Sequence, residues 1–336
     1  MAAHVEKHQL KSGKSCWRVV IENGTGPNGK RKRIYRTVPG TKREAEALMA
    51  KLLSELNTGS YIEPSKLTMT EYLRDWMDSY VRRNLSPTTA DSYNINVEKH
   101  LIPYIGNILL QHLKPLHVQK LYHDLLDSGR SDGQGGLSAK SVLYIHRNLH
   151  ESLEHALKMQ LVPRNVATLV TLPKAKKFRA EVYSPEELHH LLEVVQGTDM
   201  ELPISLAVSL GLRRGEILGL LWSDVNLSDK KVTISNNLVQ TTNGNINKPP
   251  KSASSSRTIE LPDGLIPILK HHNALQAANR LKLGSVYDNR NYVYCQADGS
   301  PYCPGYLSKK FNAFLKKHKL KQIRLHDFAA GVWSPS

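Results

Sequence analysis

The chain has 336 residues, a length that suggests two or three domains, and its 40% hydrophobic content is enough to give each domain a core. Lysine and arginine number 46 against 30 aspartates and glutamates, so the formal net charge of +16 favours a polyanionic partner. These values exclude a peptide hormone, a disulfide-rich miniprotein and a disordered tail, and they leave DNA, RNA, the ribosome and anionic membrane surfaces as partners.

The sequence carries no signal for membrane insertion or secretion. No apolar run approaches the roughly 18 to 20 residues needed to span a bilayer, and the N-terminal segment has charges where a secretory signal would be apolar. The chain has only three cysteines, and Cys295 and Cys303 lack the spacing of a metal knuckle. We therefore expect a cytoplasmic protein with reduced thiols on strands or loops.

The first segment, between Lys7 and about Asn57, has a β-like pattern followed by a helix. Alternation at residues 15–21 and 33–38, with a Gly/Pro/Asn turn between them, predicts a small sheet, and Thr41 is suited to cap a helix at Lys42–Leu56. Residues 1–66 hold 13 Lys/Arg against 6 Asp/Glu, and the block Lys30–Arg33 precedes the second strand. Such a basic hairpin can place a sheet face against a nucleic-acid groove; the alternative is a solvated basic turn.

The second segment is predicted to be all helical. Residues 59–68 have the composition of a linker, and helical spacing of apolar residues continues from about Met69 to Leu172. Ser86 before Pro87 is an N-cap signal. A Gly/Ser-rich loop separates the last two predicted helices, which lie around Val118–Leu126 and near Ser138–Leu161.

Two histidines on the last of these helices have the spacing of a metal pair. His146 and His150 are four residues apart, but the glutamate of an H-E-x-x-H motif is missing and no further ligand set can be placed. We interpret both as facing solvent or phosphate.

The third segment mixes helices and strands. A basic linker at 173–179 precedes a Ser-Pro-Glu-Glu sequence at 184–187, which has the pattern of a capping box. The elements predicted after this cap are helices ending near Val195 and at Ile204–Leu210, Leu265–Leu281 and Tyr306–His318, and a hairpin of Lys231–Val239 with Arg257–Leu261.

Three short motifs in this segment could carry chemistry. The Gly-Leu-Arg-Arg-Gly-Glu turn at 211–216 presents two arginines between apolar helices, where a guanidinium can donate two parallel hydrogen bonds to a phosphate and Glu216 can orient a basic neighbour. Lys251, on a predicted hairpin, could donate a proton. His326 begins a predicted helix after a stretch without acidic residues, whose lysines and Arg324 suit a DNA backbone. A surface arginine pair and an ordinary loop lysine are the alternatives.

With these motifs in this order, the chain resembles the tyrosine recombinases, the phage integrase family, over nearly its whole length. The turn at 211–216 is similar to the family's first arginine motif, and a Trp-Ser-Asp-Val sequence follows at 222–225 as in many integrases. Lys251 stands where the family has its hairpin lysine, and Leu-His-Asp at 325–327 resembles the opening of its His-x-x-Arg box.

The resemblance implies a multidomain α+β fold. Its parts are a small β-sheet-plus-helix arm-type DNA-binding domain at 1–58, an all-α core-binding (SAM-like) bundle at 67–172 and a mixed α/β catalytic domain of the DNA-breaking-rejoining type at 183–336. The implied partner is double-stranded DNA at attachment sites, bound as a homotetramer, and the family also admits an accessory excision protein. A cytoplasmic, nucleoid-associated protein encoded by a prokaryotic mobile element is expected. Binding of RNA or the ribosome is a weaker alternative, because no RNA motif accompanies the charge.

The resemblance also implies a mechanism and its residues. A tyrosine attacks a DNA phosphodiester and forms a 3′-phosphotyrosyl link, which conserves the bond, so that neither a cofactor nor a metal is expected. Arg213 would stabilise the phosphorane, Lys251 would protonate the leaving 5′-oxygen, and His326 would hydrogen-bond at the same phosphate. The residues expected to bind DNA are Lys30, Arg31, Lys32, Arg33, Thr88, Lys140 and Arg257.

The sequence departs from the family after His326. The family has an arginine three residues later and a histidine next to it, where this chain has Ala329 and Ala330, and a tyrosine nucleophile further on, whereas the sequence ends at Ser336. Tyrosines before His326 are poor substitutes because they are expected in strands or loops. We therefore expect a truncated or frameshifted integrase with an incomplete, inactive catalytic domain; the alternative is a non-catalytic protein that occupies attachment sites.

Overall fold

A computed structural model describes residues 2–9, 15–25, 29, 31–176, 183–242, 244–248 and 256–331. The chain forms two compact units. One comprises residues 1–84 and 93–175, and the other comprises residues 85–92 and 176–336.

The N-terminal part of the first unit is an antiparallel sheet backed by one helix. Its strands are β1 Ala3–Gln9, β2 Ser15–Thr25 and β3 Arg31–Val38, in the order β1-β2-β3, and its helix is α1 Lys42–Asn57. The predicted cap is confirmed: the Thr41 hydroxyl accepts from the Glu44 amide and the Glu44 carboxylate accepts from the Thr41 amide. The buried residues between sheet and helix are Val19, Ile21, Ile34, Ala45 and Leu52.

Residues 69–158 form a series of helices joined by short connections, as predicted. The helices are α2 Met69–Trp76, continuing through a π-helical segment Met77–Val81 into α3 Arg82–Asn84; α4 Pro87–Asn96, continuing through a second π-helical segment Val97–Leu101 into α5 Ile102–Ile105; α6 Pro115–Ser128; and α7 Ala139–Lys158. Ser138 caps α7 by accepting from the Ser141 amide. Val142, Ile145 and Leu149 lie at helical spacing on α7 and are buried, which confirms its predicted apolar face.

The two histidines of α7 have different surroundings. His146 is half-buried, and its Nδ1 forms a 2.7 Å hydrogen bond with the Tyr122 hydroxyl of α6. Burial lowers the pKa of the His146 imidazole, followed by the charges of His150 and Arg147. His150 lies 4.0 Å from the Glu154 carboxylate. The interpretation of His146 as a histidine facing solvent or phosphate is therefore wrong, because its ring packs between α6 and α7.

Acidification should destabilise the helical part of the first unit. His100 is buried, Nδ1 of its ring has no hydrogen-bond partner among the described residues, and burial lowers its pKa. The unfolded chain therefore takes up the proton first as the pH falls, so stability present above the ordinary histidine pKa is lost below it. We expect the urea midpoint to fall between about pH 7 and about pH 5, and His100→Leu to reduce that fall. The exposed His112, changed to glutamine, is the control; an unchanged pH dependence in His100→Leu would contradict the assignment.

The second unit mixes helices and short strands around one core. Its elements from residue 185 onward are α8 Pro185–Val195, α9 Glu201–Leu210, α10 Arg214–Gly219, β4 Val225–Asn226, β5 Lys231–Ile234, β6 Asn237–Thr241, β7 Gly244–Lys248, β8 Arg257–Glu260, α11 Leu265–Leu283, α12 Pro304–Lys317 and α13 Leu325–Gly331. The predicted capping box is present, with Ser184 and Glu187 bonded reciprocally. The multidomain α+β fold class is confirmed, since helices dominate and the sheets are small and antiparallel.

The predicted pairing of the two runs in this unit is confirmed, but the first run was predicted to be one strand and forms two. Strand β5 pairs with β8 in a β4-β5-β8 sheet, as expected from the two sequence runs. The first run ends at Ile234, however, and β6 forms a separate two-stranded sheet with β7. Ser235 and Asn236 interrupt the alternation with polar turn residues, so the chain changes sheets there.

Within the part of the chain that is described, no helix is both long and apolar enough to cross a membrane.

Candidate active site

The turn between α9 and α10 holds Arg213 in a fixed position. Helix α9 ends at Leu210 and is capped by Gly211, whose φ of 62° lies in the left-handed region that glycine adopts without strain. Leu212 is fully buried and anchors the turn in the core. Arg213 follows with an extended backbone as the N-cap of α10, and its side chain is 57% exposed. The sequence thus presents a guanidinium to solvent from an anchored backbone.

The Glu216 carboxylate binds both arginines of the site. Its side chain is only 7% exposed and accepts four hydrogen bonds. Oε2 accepts from the Arg213 backbone amide at 2.9 Å and from Arg257 Nη2 at 2.9 Å. Oε1 accepts from Arg213 Nη1 at 3.1 Å and from Arg257 Nη1 at 3.2 Å. All four acceptor positions of the carboxylate are therefore filled by two arginines.

The ionisation of Glu216 follows from these contacts. Burial by itself would raise the pKa of the Glu216 carboxyl, but hydrogen bonds from Arg257 and from the Arg213 amide outweigh it, so the net pKa is lowered. Glu216 is thus a carboxylate at neutral pH. The sequence motif indicated that Glu216 orients a basic neighbour, but nothing in it pointed to Arg257 as a second partner.

Two glycines let α10 approach strand β6. A Cβ on Gly215 would lie 1.8 Å from Asn237 Oδ1, and a Cβ on Gly219 would lie 2.8 Å from the Leu238 amide nitrogen. Helix α10 therefore lies directly against the backbone of β6. This contact fixes the helix that carries Glu216 and follows Arg213.

Changing Gly219 to alanine should destabilise the second unit by about 1–3 kcal/mol, because the added methyl group meets only backbone atoms that cannot rotate away. Urea-induced unfolding followed by circular dichroism measures the loss. Gly264→Ala is the matched control, since a Cβ at Gly264 meets nothing within 4 Å. Equal midpoints for the two variants would show that the approach of α10 to β6 is looser than described.

Helix α13, which carries His326, begins in the same manner as α10. The Arg324 amide donates to Asp327 Oδ2 at 2.9 Å, and its guanidinium bonds the same carboxylate. Asp327 is buried, and the hydrogen bond from Arg324 lowers the pKa of its carboxyl. The Phe328 ring packs 5.9 Å from the rings of Tyr183 and Phe311. His326 is exposed on the first turn, which agrees with the predicted helix start.

Within the described chain, no hydrogen bond or ion pair joins the predicted catalytic residues to one another. Lys251 lies outside the described residues. Arg213 and Arg257 meet on Glu216, and within the described chain no hydrogen bond or ion pair joins His326 to them. Arg214, which the sequence placed beside Arg213, donates to the Ser308 hydroxyl of α12 at 2.8 Å.

The described residues of the basic block Lys30–Arg33, which are the first three residues of β3, do not form one patch. Lys30 lies outside the described residues. Arg31 and Arg33 both lie within 3.5 Å of the Glu22 carboxylate, on the sheet face opposite α1. Lys32 alternates to the other face and lies 3.4 Å from Glu63. The open face, opposite α1, also carries Arg18, whose guanidinium carbon lies 5.9 Å from the Tyr35 ring centroid and which the sequence pattern did not indicate.

The remaining DNA-binding candidates, Thr88 and Lys140, each lie in the first turn of a helix. Thr88 is half-buried in the first turn of α4, 3.2 Å from the Ser86 hydroxyl. Lys140 is exposed in the first turn of α7.

The tyrosines before His326 are not all in strands or loops. Tyr306 lies in α12, which corrects that expectation. Tyr294, Tyr302 and Tyr306 stack in series, with ring centroids 4.8 and 5.6 Å apart. Burial raises the pKa of the Tyr294 and Tyr302 phenols. Packing and raised pKa make these two rings poor nucleophiles.

In the described ranges, no cluster of three or more histidine, cysteine, aspartate or glutamate side chains could hold a metal ion.

Two segments of the chain match known protein families. Residues 68–126 match the phage integrase N-terminal SAM-like domain, and residues 181–329 match the phage integrase family. The two matched segments together cover more than half of the sequence. The first lies within the predicted helical bundle, and the second contains the turn at 211–216 and the Leu-His-Asp sequence.

Similar proteins carry the same family names. A tyrosine recombinase XerC-like protein of Caldanaerobacter subterraneus is 28% identical, over 94% of this chain and 84% of that protein. The ICEBs1 integrase of Bacillus subtilis is 25% identical, over 95% of this chain and 84% of that protein.

Solved structures share the fold. The Tn1549 transposon integrase in complex with transposon right-end DNA has a TM-score of 0.63 and 16% identity, over 80% of this chain and 88% of that chain. The lambda integrase tetramer bound to a Holliday junction has a TM-score of 0.55 and 16% identity, over 96% of this chain and 88% of that chain. The motifs, the matched segments and these relatives agree, and the chain belongs to the phage integrase family of tyrosine recombinases.

Proposed function

We propose that the chain binds double-stranded DNA at attachment sites as a site-specific integrase of the tyrosine type, with the family's second arginine and tyrosine nucleophile missing from these 336 residues. The observation that carries this proposal is the exposed guanidinium of Arg213, anchored through its own backbone and side chain on buried Glu216. A planar guanidinium held in this way is preorganised to donate to a phosphate oxygen, and needs no rearrangement when charge develops there. The net charge of +16 supplies the long-range attraction to a polyanion.

The proposed chemistry is transesterification through a 3′-phosphotyrosyl link. Arg213 neutralises the charge on the attacked phosphate, Lys251 gives a proton to the leaving 5′-oxygen, and His326 donates to the same phosphate from the first turn of α13. The family's tyrosine hydroxyl, which residues 327–336 do not supply, would lose its proton to water and attack phosphorus as the P–O5′ bond breaks. The link preserves the energy of the phosphodiester, so the proposal includes no nucleotide or metal cofactor.

Each of the three proposed domains has its own role in binding DNA. An arm-type domain at 1–58 binds DNA through the open face of β1-β2-β3, the bundle at 67–172 binds through Thr88 and Lys140, and residues 183–336 hold the reacting phosphate. The lambda integrase is solved as a tetramer on a Holliday junction. By analogy we propose that this chain assembles as a homotetramer on DNA, with an accessory excision protein as a further partner.

Arg213→Gln should weaken binding to duplex DNA about tenfold and reduce the salt dependence by about one counterion, because one phosphate contact is lost. Fluorescence anisotropy of a labelled duplex measures both quantities. Arg290→Gln is the matched control, since Arg290 is an exposed arginine of the same unit that bonds Asp288. An affinity equal to that of the unchanged chain would contradict the assignment of Arg213.

A second candidate function is a non-catalytic protein that occupies attachment sites. The observation that favours it is Ala329 where the family box has its arginine, since losing one charge-stabilising donor costs about 10² to 10³ in rate. Nicked duplexes that trap covalent intermediates separate the two. A denaturant-resistant adduct with the 336-residue chain supports the integrase, whereas tight binding without an adduct supports the second function.

A further inference from the structure

The described contacts of Arg257 assign it a role different from the direct DNA contact expected from the sequence. We propose that Arg257 is a positioning residue that cancels the charge of Glu216, so that Arg213 keeps its positive charge and its free donors for a DNA phosphate. This inference rests on the proposed function of Arg213.

The geometry of Arg257 commits it to Glu216. Its two terminal nitrogens, Nη1 and Nη2, each donate to a different carboxylate oxygen, at 3.2 and 2.9 Å. This is the bidentate arrangement in which a guanidinium and a carboxylate pair most strongly. The Arg257 side chain is 33% exposed against 57% for Arg213, so Arg213 is the arginine that solvent and a ligand reach more easily.

Arg213 depends on how the Glu216 charge is shared. Its Nη1 donates to Oε1, the same oxygen that accepts from Arg257. With both arginines present, one buried negative charge faces two positive charges, and the cluster keeps a net charge of +1. Without Arg257, Arg213 and Glu216 form a neutral pair, and the carboxylate draws further donors of Arg213 toward itself. An incoming phosphate would then compete with Glu216 for one guanidinium.

The fold fixes this arrangement from two directions. Arg257 is the first residue of β8 and lies opposite Ile234 of β5 in the sheet register. Glu216 lies on α10, which Gly215 and Gly219 bring against β6. The charge pair therefore joins the helix that follows Arg213 to the sheet, and its partners come from segments 41 residues apart.

The test measures phosphate binding at Arg213 without DNA. The Nε–Hε resonance of Arg213, assigned by its loss in Arg213→Lys, is followed while inorganic phosphate is added. We expect Arg257→Gln to weaken phosphate binding about tenfold or more, and Arg257→Lys to stay within about threefold of the unchanged chain because it keeps the charge. The double variant Arg257→Gln/Glu216→Gln should recover to within about threefold, since no carboxylate then competes for Arg213.

Each outcome decides the proposal. If Arg257→Gln binds phosphate normally, or if the unchanged chain shows no phosphate shift at Arg213, the proposal is overturned. If the double variant stays weak, Arg257 contacts the phosphate itself and the proposal is overturned. Should Arg257→Gln fail to fold, the comparison moves to the Glu216→Gln background, where adding Arg257→Gln is expected to change nothing.

A parallel titration with a labelled duplex of random sequence separates the two proposals. If phosphate binding follows the expected pattern but no variant binds the duplex, the charge-cancelling role of Arg257 stands and the proposed DNA function fails. If the duplex is bound and the phosphate pattern is absent, the DNA function stands and the role of Arg257 is rejected.

Discussion

Replacing Glu216 with alanine is expected to lower the free energy of unfolding by about 2–4 kcal/mol. The carboxylate is buried and accepts four hydrogen bonds from Arg213 and Arg257, so the change removes all four at once. It also leaves a void beside the start of α10 and two guanidinium groups that repel each other. Equilibrium unfolding in urea, followed by circular dichroism, measures the loss.

Two further variants make the Glu216 experiment specific. Glu216→Gln keeps the shape and two acceptor positions and should cost less than Glu216→Ala. Glu193→Ala removes an exposed carboxylate of α8 and should change stability by less than about 0.5 kcal/mol. A loss below about 1 kcal/mol for Glu216→Ala would mean that the carboxylate does not organise the site.

The affinity for duplex DNA should depend strongly on the salt concentration. Raising the salt from about 50 mM to about 200 mM is expected to weaken duplex binding by about 10³-fold or more, because each neutralised phosphate releases a counterion. The basis is the net charge of +16 and the exposed basic residues of the described chain, including Lys140 on α7 and Lys309 on α12. Anisotropy titrations at several salt concentrations give the slope. A change of less than about tenfold would exclude an interface built on phosphates.

Adjacent lysines of α12 provide a matched pair for this measurement. Lys309 is exposed, whereas Lys310 bonds Asp199 at 2.5 Å and lies over the rings of Tyr302 and Tyr306. Lys309→Gln should lower the salt slope by about one, and Lys310→Gln should leave it unchanged. Equal effects would show that position on the helix, and not free charge, controls binding.

Local signals in the sequence predicted most of the elements. Caps predicted at Thr41 and Ser184 mark helices that the structure confirms, because the cap satisfies backbone amides within a few residues. Strand β1 was missed because Val5 is the only β-branched residue in a stretch of polar side chains. Its partner β2 supplies the pairing, and such pairing cannot be predicted from β1 alone.

Long-range contacts were harder to predict. The motif at 211–216 identified Arg213 and Glu216, since both lie in one turn of chain. The second partner of Glu216 comes from a strand 41 residues later, and only the pairing of β5 with β8 brings it there. A helix-starting Arg-x-x-acid pattern, present at both Arg213 and Arg324, was the signal that could have predicted the two caps.

The count of basic residues alone overestimated the positive charge that the N-terminal sheet has free for DNA. The block Lys30–Arg33 was expected to bind DNA as one surface, but Arg31, Lys32 and Arg33 alternate between the two faces of the sheet. Arg33 bonds Glu22, and Lys32 lies near Glu63, so acidic partners hold part of the charge. The free charge available to DNA therefore depends on side-chain partners that only the fold specifies.

The most direct test of the account is a site selection. The 336-residue chain is mixed with a random-sequence duplex library at about 150 mM salt, and the bound duplexes are recovered and sequenced. We expect enrichment of one discrete sequence, bound at least about 10³-fold more tightly than unselected duplex. Recovery of duplexes without a common sequence, or equal retention of RNA, would contradict a site-specific DNA recombinase.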